Sequence, residues 1–151
     1  MTTFETFKLI HVLAAMVWVG GAVTSQVFAA RLKEADPAHR LGYARSMRFV
    51  SQWVFLPAAV VVYVFGSLAV EEFVPYDYDQ AWIGIGTIGI LLSFLTAASF
   101  LVPQIRKAVR LMEAGQGPEA GAVIGRISIV SRIVVLILLV VVWAMVTKPG
   151  L

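Results

Sequence analysis

Four long stretches of the chain carry no charged side chain: residues 9–30, 49–70, 80–105 and 133–147. The first is interrupted only by the histidine at position 11. None alternates with the period of a half-buried strand. A helix needs about 20 predominantly apolar residues to cross the hydrocarbon core of a bilayer. The first three stretches meet that length unaided. The fourth meets it by starting near Gly125, and so takes Arg126 and Arg132 with it. The pattern predicts four transmembrane helices at about 4–31, 46–70, 80–111 and 119–147. The expected fold is an all-α transmembrane four-helix bundle, a single integral membrane domain over 1–151.

The connections between these helices are short. Asp36-Pro37 reads as a turn with a new helical start at the proline. Residues 37–48 then form an amphipathic helix leading into helix two. Gly115, Gly117 and Pro118 stop the extension of helix three. Pro57 falls inside helix two, where it removes a backbone donor and predicts a kink. Small residues predict close helix approach: Gly20 with Thr24 and Gly21 with Ser25 on helix one. Gly86, Gly89, Ser93 and Ala97 play that part on helix three, and Gly121, Gly125 and Ser128 on helix four. Most of this serves packing within the bundle, with a homodimer or larger membrane complex as a further use. Trp53, Trp82 and Trp143, with Tyr76 and Tyr78, are expected as interface anchors.

Composition agrees with a membrane chain and removes alternatives. Of 151 residues, 60% are hydrophobic and 14% charged, where a soluble domain carries about a quarter charged. A disordered chain would be poor in apolar residues. The absence of cysteine excludes disulfides, Cys-based zinc sites, iron–sulfur clusters and a cysteine nucleophile. The basic residues fall mainly on two connections. Arg31, Lys33, Arg40, Arg45 and Arg48 follow helix one, and Arg106, Lys107 and Arg110 end helix three, with Arg126 beyond. Residues 71–79 hold four acids and no Lys or Arg. The positive-inside rule puts the basic connections in the cytoplasm, and both termini and the acidic loop outside. Lys8 and Lys148 are outer exceptions. A pI of about 9.5 then reflects topology and anionic lipid, not nucleic acid. The first helix is too long for a signal-peptide core and is expected to stay. The expected location is a bacterial inner membrane.

Two side chains inside the predicted helices stand out, because ionisable groups in the membrane are costly and are functional candidates by default. His11 shares a helical face with Phe7, Ala14, Ala15, Trp18, Ala22 and Ser25, so small residues leave room beside it. It reads as a hydrogen-bonded core histidine, an axial ligand to haem b, a ligand to copper or another metal, or a proton relay. For haem the second ligand is weakly specified, and five-coordinate haem or ligation across a dimer are alternatives. His39 lies in the wrong connection, Met16 is about 140° around helix one, and Met145 sits at a depth comparable to His11. Scattered Met with one His is a poor copper set. Arg132 lies about 21 Å of helix from Val146. It reads as snorkelling to the cytoplasmic surface, or as a contact for an anionic head group or cofactor carboxylate. A haem on His11 would leave its propionates too far from Arg132. The acidic loop, without His, Met or Cys, reads as solvated. Hydrolase triads and phosphate-binding glycine loops are absent.

Several motifs resemble one family. Lys8-Leu9-Ile10-His11-Val12-Leu13-Ala14-Ala15, then Trp18-Val19-Gly20-Gly21, is similar to the first helix of an uncharacterised family of four-helix bacterial integral membrane proteins. Phe55-Leu56-Pro57 with Gly66 resembles its second helix. Leu101-Val102-Pro103-Gln104 resembles the end of its third, and Met145-Val146-Thr147-Lys148-Pro149-Gly150 its C-terminus. At a distance the first helix also resembles HemJ-type protoporphyrinogen oxidases and CopD-type copper-resistance proteins. Both resemblances imply a functional first-helix histidine, here His11. The HemJ type has a lysine shortly after a third-helix Trp; here Trp82 is followed by Ile83-Gly84-Ile85-Gly86-Thr87. That departure argues against protoporphyrinogen oxidation and leans the reading away from an enzyme. Most CopD-type helices and ligands are missing. The leading expectation is a b-type haem-binding membrane protein using His11, with Met145 and Arg132 as weaker cofactor contacts. The alternatives are a structural or accessory membrane subunit and a copper-handling protein.

Overall fold

The structure, a computed structural model, describes residues 1–149; Gly150 and Leu151, the last positions of the C-terminal motif and of the expected domain, lie outside the described residues. Four helices account for nearly all of it: α1 Thr3–Glu34, α2 Pro37–Glu72, α3 Ala81–Glu113 and α4 Gly117–Thr147. Each is long and apolar enough to cross a membrane. All four overrun the expected limits at one end or both. The amphipathic segment 37–48 and helix two form one 36-residue helix, α2, about 54 Å long against a hydrocarbon core of about 30 Å.

The ends follow local chemistry. Thr2 and Glu5 form a capping box at the start of α1. Asp36 caps α2 by accepting from the His39 backbone N–H at 3.0 Å, with Pro37 in the first turn. Gly115 takes the left-handed conformation that ends α3 (φ 72°). Lys148 does the same beyond α4 at φ 46°, its N–H reaching the Ala144 carbonyl at 2.9 Å.

Three helices contain one turn of π-helix: Met16–Gly20 in α1, Ser51–Phe55 in α2 and Ala97–Leu101 in α3. Two lie immediately before a proline, Pro57 and Pro103. A proline ring clashes with the carbonyl four residues earlier and leaves it without a donor. Those carbonyls belong to Trp53 and Ser99, inside the two π turns. The wider turn is how the chain absorbs the disruption expected at Pro57.

The helices form a closed ring in which α1 packs on α2, α2 on α3, α3 on α4 and α4 on the inner half of α1. The core holds Trp18, Ala59, Val62, Ile90, Val134 and Leu138. Glycines set the closest approaches. Gly86 lies under Met145, Gly89 under Val141 and Gly21 under Phe55. The other expected contacts fail: Gly20, Gly121 and Gly125 have nothing packed within 4 Å. Trp53 and Trp143 are exposed as anchors should be. Trp82 is not; it is buried against Tyr76, with its indole N–H on Gln80. Large apolar side chains such as Leu13, Phe28, Ile88, Leu95, Ile133 and Leu136 face outward. Such a surface suits lipid and not water.

Candidate functional site

The start of α1, the end of α4 and the loop from Phe73 to Gln80 meet at one end of the bundle, here called the outer end. Phe4 stacks on Phe73 at 4.6 Å between ring centroids. Lys148 donates to the Tyr76 hydroxyl and lies over the Tyr76 and Trp82 rings at 4.7 and 5.4 Å. The left-handed turn at Lys148 is what swings this side chain back over the bundle. Behind it is a cavity of about 160 Å³ with contributions from all four helices. Its lining includes Lys8 and His11 from α1, Val62 and Gly66 from α2, Thr87 from α3, and Met145 from α4.

His11 is the feature on which the cavity turns. Its Nδ1 lies 2.8 Å from the Val62 carbonyl oxygen. A carbonyl only accepts, so Nδ1 carries the proton. In the neutral ring Nε2 is then a free lone pair, the tautomer a metal ligand needs. Gly66, one turn beyond Val62, makes the approach feasible. A Cβ there would sit 2.8 Å from Nδ1 and 2.9 Å from Cε1. The same pair of contacts ties α1 to α2.

The structure brings His11 and Met145 to one cavity, although they are 134 positions apart in sequence (145 − 11). Met145 is held over Gly86, a glycine of the α3 stripe. Arg132 is exposed and lines neither this cavity nor the second one at the other end. Met16 is 64% exposed and points away from the bundle. His39 is at the opposite end, 2.5 Å from Asp36. Among the described residues no three His, Cys, Asp or Glu side chains gather as for a bare metal ion. The acidic loop is solvated: Glu71, Glu72, Asp77 and Asp79 are all exposed. Sequence reasoning set Lys8 and Lys148 aside as exceptions to the charge rule, yet both line the cavity. Their position against the rule was the available signal.

The chain was compared with protein families, curated proteins and solved structures. A family described as "Predicted integral membrane protein (DUF2269)" matches residues 5–149. No curated protein and no solved structure matches. The distant likeness to HemJ-type and CopD-type proteins expected from the first helix is not shown by these comparisons.

Proposed function

The chain belongs to this family of integral membrane proteins, and on that premise we propose that its outer cavity is a cofactor site for a b-type haem with His11 as axial ligand. The observation that carries the proposal is the bond from His11 Nδ1 to the Val62 carbonyl, which frees Nε2 on a histidine lining a cavity. Haem suits the donor set better than a bare ion does. A porphyrin brings its own four nitrogens, so one imidazole suffices. Met145 is the candidate second ligand. Lys8 and Lys148, which line the cavity, offer cations to propionates, which Arg132 is too far away to meet. The cavity volume, about 160 Å³, is below the roughly 300–1,000 Å³ of ligand pockets. Loading therefore requires the rim to part, and Val12, Tyr63 and Tyr78 are its exposed members. When bound, haem would supply one-electron chemistry. The chain would orient it, exclude water with Trp82 and Ile83, and balance its charge. A bacterial inner membrane, with the outer end away from the cytoplasm, completes the reading.

The test is an absorption spectrum of protein purified in mild detergent after expression with ample haem. A Soret band is expected in the wild type, lost in His11→Ala and weakened in Lys8→Gln with Lys148→Gln. Colourless wild-type protein overturns the reading.

The same bond favours a second reading, a non-catalytic structural or accessory membrane subunit in which His11 staples α1 to α2. Here His11→Ala lowers thermal stability with no spectral change, and a partner is recovered on affinity purification. Copper handling is the third reading; copper content that His11→Ala leaves unchanged would remove it.

A further inference from the structure

The three π turns face one another. Trp18 belongs to the first, Ser51 and Phe55 to the second, Ala97 and Leu101 to the third, and all five line a single cavity in the half of the bundle away from His11. Single π turns within α-helices are uncommon and often mark functional sites. Proline explains two of these three. The turn at Met16–Gly20 has no proline after it and no local cause in the sequence. The cavity, partly open at its rim, has a volume of about 210 Å³. Packed interiors leave few voids larger than one water. Three separate widenings directed at one void mark it as built.

Its lining is graded. Trp18, Phe55 and Val134 close the deep end, and Leu101 and Ile105 are among the aliphatic walls. A few uncharged polar groups lie along one side, where Gln26 donates to the Ser131 hydroxyl at 3.0 Å and Tyr43 to the Ser25 carbonyl at 2.9 Å. The charged lining residues are Lys33 and Arg40, with no acid among them. Lys33 lies at the end of α1 and Arg40 near the start of α2, on either side of the short connection between them. Two further cations at this end are engaged, Arg45 by Glu113 and Arg106 by the Gln52 side chain. Of the acids nearest in sequence, Asp36 is paired with His39, and Glu34, adjacent to Lys33, forms no ion pair among the described residues. Lys33 and Arg40 form no ion pair among the described residues. An apolar void under two uncompensated cations fits a molecule with an apolar chain and an anionic end.

We infer that the inner cavity binds one acyl chain carrying an anionic head group, the chain lying along the π turns and the head between Lys33 and Arg40. A free fatty acid and an anionic phospholipid share this chemistry. The site is separate from the His11 cavity and does not depend on the haem reading.

Two measurements test it. Native mass spectrometry of the detergent-purified wild type should find one fatty acid or anionic phospholipid per chain. That species should be lost in the double variant Lys33→Gln, Arg40→Gln, and in Ala97→Leu, which fills the void. Second, a variant with Trp53→Phe, Trp82→Phe and Trp143→Phe leaves Trp18 as the sole tryptophan. Its emission should be quenched saturably by brominated oleate or brominated phosphatidylglycerol, and whichever binds tighter identifies the source. Affinity should fall about tenfold in the Lys33, Arg40 double variant and hold in His11→Ala. Equal quenching by brominated phosphatidylcholine, quenching without saturation, a neutral isoprenoid in place of the lipid, or a lipid retained in Ala97→Leu would each overturn the inference. The mass measurement stands if the triple tryptophan variant does not fold.

Discussion

Gly66 carries more of the outer site than its size suggests. Its missing side chain is the space in which the His11 ring reaches the Val62 carbonyl. Gly66→Ala is therefore expected to tilt the imidazole off Val62, because the new methyl group would lie 2.8 Å from Nδ1. A Soret band that shifts or weakens, in protein of unchanged helicity, would show it; a spectrum identical to wild type would contradict it. Ser93 is the other residue whose surroundings make a prediction. It is fully buried and its hydroxyl has no partner among the described residues. An unsatisfied buried hydroxyl costs about 1–3 kcal/mol. Ser93→Ala should be neutral or stabilising by about 1 kcal/mol in a detergent melt, while Ser93→Leu should overpack the α3 stripe and destabilise.

At the scale of the element, the start of α2 and the π turns are the informative parts. The Asp36 carboxyl is held below its usual pKa, first by the His39 backbone N–H and then by the His39 side chain. A lowered folded-state value means that the ionised cap stabilises the helix above about pH 4. That contribution disappears as pH falls through the folded value. Amide protection over residues 37–41, relative to intrinsic exchange at each pH, should therefore fall below about pH 4, and Asp36→Asn should flatten that dependence while still capping. In α3, Pro103→Ala returns a backbone donor to a site that has none. The expected result is slower exchange through Ala97–Leu101 as the π turn tightens toward α-helix; unchanged exchange would mean that packing, not the proline, holds it open.

The whole molecule is a ring of four helices with an apolar exterior, two cavities stacked along its length, and opposite charge character at its two ends. Lys8, Lys148 and the acidic loop share one end, while Lys33, Arg40 and the Arg45–Glu113 pair share the other. An even number of crossings puts both termini on one side, and the positive-inside rule makes the exterior the expected side. The chain has no cysteine, so single-cysteine labelling is clean. Asp79→Cys should react with a membrane-impermeant maleimide in intact cells, and Glu34→Cys only after lysis. The reverse pattern would invert the protein in its membrane.

The number of helices, their approximate limits and the turns at Asp36-Pro37 and Gly115 were legible in the chain, because they depend on runs of apolar residues and on local caps. His11 was legible as an oddity for the same reason: one ionisable side chain in an apolar run is conspicuous without any neighbour. Its partners were not. That Val62 accepts from it, that Gly66 makes its space and that Met145 shares its cavity depend on the rotation of four helices about their axes. Small-residue stripes constrain that rotation only loosely. The α3 stripe was used in packing and the α4 glycines Gly121 and Gly125 were left open, though both read alike in sequence. Trp82 looked like an anchor and became core, because Tyr76 folds back onto it. The inner cavity had least signal of all. Two of its π turns precede prolines, but the third has no proline to mark it, and only packing brings the three to one cavity. Sequence by itself determined that this chain spans a membrane and where its charges must lie, since desolvation acts on each residue alone. Tertiary structure decided which residues meet, since that depends on the rotation and register of each helix against three others.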